Sequence, residues 1–158
     1  PKTAWPPTSA AWARALDITH IVCASDAAAR DTLRSKVLLM TTPPGKKVFI
    51  KTVEETIRLL DDPRADHMKI FLITDNPSDA VKLVKALPIH NVNVANYHKK
   101  NGGAKIYLQD VCVTDQEELP VFEELAAISE TIVTQLLPSV EPQNFKDLVK
   151  KAKVENQI

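Results

Sequence analysis

The stretch KIFLITDNPSD, residues 69–79, passes from a short apolar run directly into a helix start. Residues 69–74 are rich in β-branched and aromatic side chains, and their number is typical of a buried strand. Pro77 and Asp79 are typical of the first turn of a helix, where proline is tolerated and an acidic side chain is stabilised. The stretch therefore predicts a central strand followed at once by a helix.

The same strand-to-helix pattern occurs twice nearer the amino terminus. Residues 18–24 (ITHIVCA) predict a short buried strand, and Ser25 predicts the N-cap of a helix that runs to about Met40. Residues 47–51 (KVFIK) predict the next strand. The helix after that strand is predicted by a capping box, T-x-x-E, at residues 52–55.

The second half of the chain continues with shorter elements. A second capping box, formed by Thr114 and Glu117, predicts a helix that runs to about Ile128. Further strands are predicted at residues 92–94, 104–108, 111–113 and 131–136, and a terminal helix is predicted at residues 145–153.

The order of these elements determines the predicted fold class. Strands that alternate with helices indicate right-handed βαβ crossovers and a parallel sheet. We therefore expect an α/β fold: a single doubly wound domain over residues 1–158, with a mostly parallel central sheet and helices on both faces. Residues 1–11 (PKTAWPPTSAA) are atypical, because their three prolines predict neither a regular strand nor a regular helix.

Composition and charge exclude several classes of protein. The 158 residues include 20 Lys plus Arg and 20 Asp plus Glu, so the formal net charge is zero and we expect no nucleic-acid partner. No run approaches the roughly 20 apolar residues of a membrane-spanning helix, and no secretory signal is visible. Cys23 and Cys112 each lie in an apolar run and are expected to be buried thiols in a reducing cytosol.

Glycine-rich and metal-binding motifs are absent from the sequence. The chain has three glycines, too few for a glycine-rich phosphate loop, and it contains no G-x-x-x-x-G-K-[ST], G-x-G-x-x-G or H-E-x-x-H. These absences disfavour an unrelated flavin or nucleotide enzyme, which stays open as an alternative. We expect neither a cofactor nor a metal.

Ligands of open α/β folds bind at the carboxyl ends of the strands, where helix N-termini favour an anion such as phosphate. Polar side chains expected at that edge are therefore candidates for ligand binding. Each also has an ordinary explanation: an acid or amide can stabilise a helix start, and a tyrosine can cover a loop instead of stacking on a sugar ring. The candidate ligand-binding residues are Asp26, Asn76, Asp79, Asn96 and Tyr97.

Histidine is the residue type best suited to group transfer near neutral pH. His20 and His90 lie at or just before predicted strands, and His67 lies in a polar loop, so all three are expected away from the carboxyl edge. Only His98 follows a predicted strand. His98 is therefore the catalytic candidate, as a phosphate contact or proton-transfer group; its ordinary explanation is an exposed loop histidine.

Three segments together resemble a known family: IVCASDAAARDTLRSKVLL (21–39), TTPPGKKVFIKTVEETIRLLDDP (41–63) and KIFLITDNPSDAVKLVKALPIHNVNVANYH (69–98). From about Trp12 onward, the chain is similar to the B component of enzyme II in the mannose/fructose/sorbose class of the bacterial sugar phosphotransferase system. The turn at residues 43–45 (PPG) and the NPSD helix start are the most specific parts of this resemblance.

The resemblance implies a cytoplasmic phosphoryl carrier that needs no bound cofactor. Members of the family accept a phosphoryl group on a histidine from the phosphorylated A component. They pass it to a sugar of the mannose, fructose, sorbose or amino-sugar type while the membrane C and D components translocate that sugar. The chain would then associate peripherally with the membrane permease. The alternative is a non-catalytic regulatory domain on the same fold that binds an anion or a partner protein.

The amino-terminal residues depart from the family pattern. In the family, the carrier histidine lies in a loop of the pattern D-D-R-L-I-H-G-Q, after a first strand. Residues 1–19 contain no histidine, and the carrier position falls near Trp5. His98, which lies beside the segment that matches the family's N-[VI]-G-G-M, is not that carrier. A sheet without the first strand would expose backbone groups, unless residues 1–11 or a partner chain supply a substitute strand; otherwise the chain would be less stable than its relatives. Our hypothesis is self-association into a homo-oligomer.

Overall fold

The computed structural model describes residues 8–95, 97–98, 105–109, 111–114 and 117–156. The chain divides into two units, residues 1–79 and 80–158. Each unit has its own apolar core and its own hydrogen-bonded strands. The organisation of residues 1–158 as a single domain stays a prediction.

The first unit is built from three strands and the helices that connect or flank them. Its strands are β1 (His20–Ala24), β2 (Lys47–Lys51) and β3 (Ile70–Ile73). Its helices are α1 (Thr8–Ala15), α2 (Asp26–Arg30), α3 (Thr32–Met40) and α4 (Val53–Asp61), with a 3-10 turn at Pro63–Ala65 and the start of α5 (Pro77–Ala86).

The three strands form a parallel sheet in the order β2-β1-β3. Within the described part of the chain β1 is thus the central strand, so the prediction that residues 69–74 form the centre is wrong. Ile21 and Val22 of β1 point to opposite faces, and each is only 1% exposed. Both faces of β1 are therefore covered, as is typical of a strand inside a parallel sheet.

The core of the first unit lies on one face of this sheet. Apolar side chains of β1 pack there with side chains of α1, α2 and α3, and apolar residues of β2 and β3 pack against them. The removal of this apolar surface from water holds the three helices on that face. The buried members of this core are Ala13, Ile18, Ile21, Cys23, Ala28 and Leu38.

Local capping explains where α2 and α4 begin. Ser25 Oγ accepts a hydrogen bond from the Ala28 N–H at 3.3 Å, as its predicted role as an N-cap requires. Thr52 Oγ1 accepts from the Glu55 N–H at 3.1 Å, and Glu55 Oε2 accepts from the Thr52 N–H at 3.4 Å. The capping box predicted at residues 52–55 is thus confirmed.

Two features of the first unit differ from the sequence predictions. The single helix expected up to Met40 is broken at Asp31, whose extended backbone (φ −93°, ψ 99°) ends α2. Asp31 Oδ1 accepts from the Arg34 N–H at 3.0 Å and so caps α3, because aspartate is a poor helix interior residue and a good N-cap. Residues 1–11 are not irregular throughout: α1 begins at Thr8, beyond their last proline.

The second unit combines a mixed sheet, a hairpin and helices α6 (Leu119–Ile128) and α7 (Phe145–Glu155). In the mixed sheet, the central strand pairs parallel with one neighbour and antiparallel with the other. Phe122 and Phe145 pack edge to face in the core of the unit, with ring centroids 5.7 Å apart. The strands are β4 (Asn91–Asn93), β7 (Thr131–Thr134) and β8 (Gln143–Asn144) in the mixed sheet, and β5 (Lys105–Leu108) and β6 (Val111–Thr114) in the hairpin.

The start of α6 is a further correction. Thr114 is the last residue of β6 and lies opposite Lys105 in the hairpin, so it cannot begin the helix. The helix instead begins at Leu119 with Pro120 in its first turn, and its N-cap, Glu118, makes no side-chain capping bond. Proline favours this start, because its fixed φ suits a first helical turn and its missing N–H is not needed there.

The α/β fold with a parallel sheet and flanking helices is confirmed. Short elements close to the predicted strands in the second half are all present, and the two-residue β8 is an addition that the sequence does not predict. Within the ranges that the structure describes, no helix has the length and apolar character needed to cross a bilayer.

The capping box provides a stability test. Thr52→Ala removes the acceptor for the Glu55 N–H, so we expect the free energy of unfolding to fall by about 1 kcal/mol. Thr52→Ser keeps the hydroxyl and is the matched control, with a much smaller effect. Urea denaturation of the three proteins measures the difference, and equal midpoints for all three would contradict the stabilising role of the box.

Candidate functional site

The carboxyl ends of β1, β2 and β3 meet at one edge of the parallel sheet. Cys23, the penultimate residue of β1, is in register with Ile50 and Ile73 of its two neighbours. The residues that follow the three strands therefore lie along the same edge. We call this edge the first rim and define it as residues 25–26, 52–53 and 74–76.

Asp26 connects two of the helix starts at the first rim. Its Oδ1 accepts a hydrogen bond from the Val53 N–H at 2.9 Å, while Asp26 itself lies in the first turn of α2. The carboxylate thus satisfies a backbone donor at the start of α4 and stabilises the positive end of that helix. These contacts match the ordinary explanation for Asp26, and its role in ligand binding stays a prediction.

Asn76 and Asp79 lie at the start of α5. Asn76 Oδ1 accepts from the Ser78 N–H at 2.8 Å, which satisfies one of the free donors of the helix N-terminus. Asp79 lies in the first turn of the same helix, where a negative charge is favourable. Asn76 is exposed at the first rim, and ligand binding by either residue is still to be tested.

The first rim also holds a charge pair that the sequence analysis missed. Arg34, the third residue of α3, reaches Asp75 directly after β3, with Nη2 and Oδ2 3.3 Å apart. The two residues are 41 positions apart in the sequence. Their meeting depends on where α3 packs on the sheet, and only the parallel topology, not a local motif, could have indicated it.

Cys23 is a buried free thiol, as predicted, and both charges of this pair act on it. Its pKa is raised to about 11, mainly by burial and in smaller part by the Asp75 carboxylate, while the Arg34 guanidinium acts in the opposite direction. The thiol is therefore protonated and a poor nucleophile near neutral pH. The Cys112 side chain lies outside the described residues.

The second unit has its own edge where parallel strands end. The Val94 N–H bonds to the Val133 carbonyl oxygen at 2.9 Å, which closes the pairing of β4 with β7. The Asn93 amide then continues the ladder: Nδ2 donates to the Gln135 carbonyl oxygen at 2.9 Å, and Oδ1 accepts from the Gln135 N–H at 3.0 Å. We call residues 94–95, 97–98 and 135–136 the second rim.

Tyr97 in the second rim is held at both ends of its side chain. Its hydroxyl donates to Glu118 Oε1 at 2.7 Å, and its ring packs edge to face on Phe122 with the centroids 5.3 Å apart. Of the two roles weighed for Tyr97, these contacts fit the covering of a loop. Stacking on a sugar ring stays an untested prediction.

The four histidines differ in which end of a strand they lie near. His20 begins β1 and stacks on Phe49, and the imidazole Nδ1 of His90, just before β4, lies 2.6 Å from Glu130 Oε2. His67 precedes β3 in an exposed turn. His98 alone follows the carboxyl end of a strand, where it is exposed in the second rim.

Asn96, Lys99 and Lys100 lie outside the described residues, so the proposed ligand contact of Asn96 stays a prediction. Among the residues that the structure does describe, no group of three His, Cys, Asp or Glu side chains is placed to hold a metal ion.

Comparison with known protein sequences gives one consistent family. Residues 7–158 match the family model described as PTS (phosphotransferase) system sorbose subfamily IIB component. A probable phosphotransferase enzyme IIB component of Streptococcus pyogenes serotype M6 is 32% identical over 143 residues, 87% of this chain and 88% of that protein. The PTS fructose-specific EIIB component of Bacillus subtilis is 28% identical over 140 residues, 88% of this chain and 85% of that protein.

Solved structures give the same result for the fold. The IIBSor domain of the sorbose permease from Klebsiella pneumoniae matches with a TM-score of 0.83 at 20% identity, over 93% of this chain and 90% of that one. A protein described as a phosphoenolpyruvate-dependent phosphotransferase system matches with a TM-score of 0.81 at 25% identity, over 93% of this chain and 91% of that one.

The buried thiol predicts a pH dependence of stability. The pKa of Cys23 is about 11 in the folded chain against an ordinary value of 9.0, so above pH 9 the unfolded state loses its proton first. The free energy of unfolding should therefore fall as the pH rises from 9 to 11, and Cys23→Ala should remove about 2 kcal/mol of that fall. Urea midpoints at pH 8 and pH 10.5 test this, and parallel pH profiles for the two proteins would contradict it.

The two contacts of Tyr97 predict that stability decreases from wild type to Tyr97→Phe to Tyr97→Leu. Tyr97→Phe loses the hydrogen bond to Glu118 but keeps the ring contact, and we expect it to lower the free energy of unfolding by about 1 kcal/mol. Tyr97→Leu also loses the edge-to-face contact and should cost roughly 1 kcal/mol more. Thermal and urea unfolding give the order, and a wild-type stability for both variants would show that Tyr97 is free for other contacts.

Proposed function

The chain belongs to the sorbose subfamily of IIB components of the bacterial sugar phosphotransferase system, and from this premise we propose how it carries a phosphoryl group. Components of this kind are phosphotransferases that carry phosphoryl groups during sugar uptake. The observation that supports this function for the chain is the family match over residues 7–158. A relative that is 32% identical over 88% of its length supports it independently.

We propose that the donor is a phosphorylated A component and that the acceptor is a sugar moved by membrane C and D components. One relative, the PTS mannose-specific EIIAB component of Escherichia coli K12, is 25% identical over 89% of this chain, and the match covers 43% of that protein. The relatives' names specify mannose, sorbose and fructose, which supports a substrate of the mannose, fructose, sorbose or amino-sugar type. Such partners imply a cytoplasmic chain that docks peripherally on the permease.

We further propose that His98, which is not the counterpart of the family's carrier histidine, takes up the phosphoryl group in its place, because that histidine has no match among residues 1–19. It is the histidine that follows a strand at its carboxyl end, and it is exposed, so a donor protein can reach it. A neutral imidazole nitrogen would attack phosphorus, forming a P–N bond as the P–N bond to the donor histidine breaks. In the second step a sugar hydroxyl oxygen forms the P–O bond as the P–N bond to His98 breaks, and the hydroxyl proton passes to the imidazole nitrogen that this cleavage frees.

The protein's contribution to these two steps is to position the reactants. Phosphoryl transfer needs little covalent chemistry beyond an in-line approach, so catalysis depends on geometry and on charge stabilisation. Two contacts on the amino-terminal side of His98 support such a positioning role. Asn93, five residues before His98, bonds to Gln135, and Tyr97, directly before His98, bonds to Glu118.

Transfer from a phosphorylated A component tests this proposal. The chain is incubated with the A component of a mannose-class system and its upstream phosphoenolpyruvate-dependent enzymes, and phosphohistidine is detected by phosphorus NMR. We expect a signal in the wild type, no signal in His98→Ala, and an undiminished signal in His67→Ala, the matched control for an exposed histidine.

The possible outcomes separate the two parts of the proposal. A signal that persists in His98→Ala would show that another residue is the carrier and that His98 is not. No signal in the wild type, with an A component that does phosphorylate its own B component, would show that this chain does not carry the phosphoryl group.

A further inference from the structure

We propose that Arg34 forms a phosphate-binding site at the first rim, in which a phosphate or phosphoryl dianion replaces Asp75 as the partner of the guanidinium. The choice of ligand class rests on the proposed function. The site itself is argued from the contacts of the first unit, and inorganic phosphate is the probe that tests it.

The Arg34 guanidinium is held loosely and faces solvent. Its side chain is 39% exposed, and that of Asp75 is 56% exposed. Within the described part of the chain, its side-chain bond is a single one, from Nη2 to Asp75 Oδ2 at 3.3 Å. A guanidinium has five N–H donors, so most of its hydrogen-bonding capacity stays available to a ligand.

A second arginine of the same unit shows what a saturated pair looks like. Arg64 makes three side-chain bonds to Asp62: Nε to Oδ1 at 3.0 Å, Nε to Oδ2 at 3.1 Å and Nη2 to Oδ2 at 2.6 Å. This forked geometry also holds the pKa of Asp62 at about 2. The pair precedes β3, at the opposite edge of the sheet from the first rim, so it is a natural internal control.

The other acidic and polar groups named in the first unit are engaged elsewhere. The Asp26 carboxylate is engaged with the Val53 N–H, and Asp31 caps the backbone N–H of Arg34. The Cys23 thiol is protonated near neutral pH. The guanidinium side chain thus pairs with one carboxylate, and that carboxylate is on the surface.

Thr74, the residue directly before Asp75, has a hydroxyl that is unpartnered among the described residues. Its Oγ1 is buried directly before Asp75 and has no hydrogen-bond partner in the part of the chain that the structure describes. Buried polar atoms normally have partners, so an unsatisfied hydroxyl marks a place where an acceptor is missing. We take this hydroxyl as a further donor available to a phosphate bound in place of the Asp75 carboxylate.

The exchange of partners is energetically favourable for a dianion. An exposed ion pair with one long hydrogen bond contributes little to stability, so its loss costs little. Phosphate carries more charge than a carboxylate and can accept two parallel N–H bonds from one guanidinium. Arg34 would then bind a phosphate or phosphoryl dianion at the first rim.

Two substitutions with opposite expected effects test the site. Asp75→Asn frees the guanidinium from its competitor, and we expect phosphate to bind about fivefold more tightly, whereas Arg34→Gln should weaken binding by about tenfold. Both substitutions break the same ion pair, so a merely structural role predicts a loss of stability and no gain of affinity in either. The measurement is titration of the chain with inorganic phosphate, followed by the NMR signals of the Arg34 Nε–H and of the amides of residues 74–76.

Asp62→Asn is the matched control. It frees Arg64 in the same way but away from the first rim, so phosphate affinity should equal that of the wild type. The inference is overturned if Asp75→Asn fails to increase affinity, or if Asp62→Asn increases it as much. Because Asp75→Asn is expected to gain binding, the test does not depend on Arg34→Gln folding well.

The result is separable from the proposed function. Phosphate binding at Arg34 by a chain that the A component does not phosphorylate would leave this site in place and remove the carrier role. If the chain is phosphorylated but Asp75→Asn leaves its phosphate affinity unchanged, the carrier role is supported and the Arg34 site is ruled out.

Discussion

The parallel hydrogen bonding of β1 to both of its neighbours is the constraint on which the first unit depends. Because the three strands run in one direction, their carboxyl ends meet at a single edge, and helix starts cluster there. Helix starts leave backbone N–H groups without partners in the helix, so acceptors are needed at that edge. Ser25, Asp26, Thr52 and Asn76 are polar at this edge for that reason, whatever else they do.

The polar side chains of each rim fall into two groups: those already hydrogen-bonded within the fold, and those that can still bind a ligand. In the first rim, the side chains that follow β1 and β2 are committed to backbone donors, while the Arg34–Asp75 pair commits little of its capacity. In the second rim, the Asn93 amide and the Tyr97 hydroxyl are committed, while His98 is exposed. Chemistry at either edge has to come from the groups that folding leaves available.

The sequence predicts well those features whose cause lies within a few residues. The box at residues 52–55 and the Ser25 cap are local motifs, and both are present. It predicts poorly where two local signals compete. Asp31 lies inside the single helix that the sequence predicts, yet it caps α3. Thr114 lies in a predicted capping box, yet it pairs in a strand, and the helix begins later, with Pro120 in its first turn. The sequence does not predict pairs of residues that are far apart along the chain. Arg34 and Asp75 meet because helices pack on a sheet, and neither residue carries a local mark of the other.

A phosphoryl carrier has to bind the group well enough to receive it and weakly enough to release it. Uniformly tight binding would lower the energy of the bound state as much as that of the transition state and would not speed transfer. A cation already paired with a surface carboxylate meets this requirement, because each gain of phosphate contact is offset by the loss of the pair. Asp75 would then set the strength of phosphate binding at Arg34. Because the pKa of the buried Cys23 thiol is raised, this thiol adds no negative charge that would weaken that binding near neutral pH.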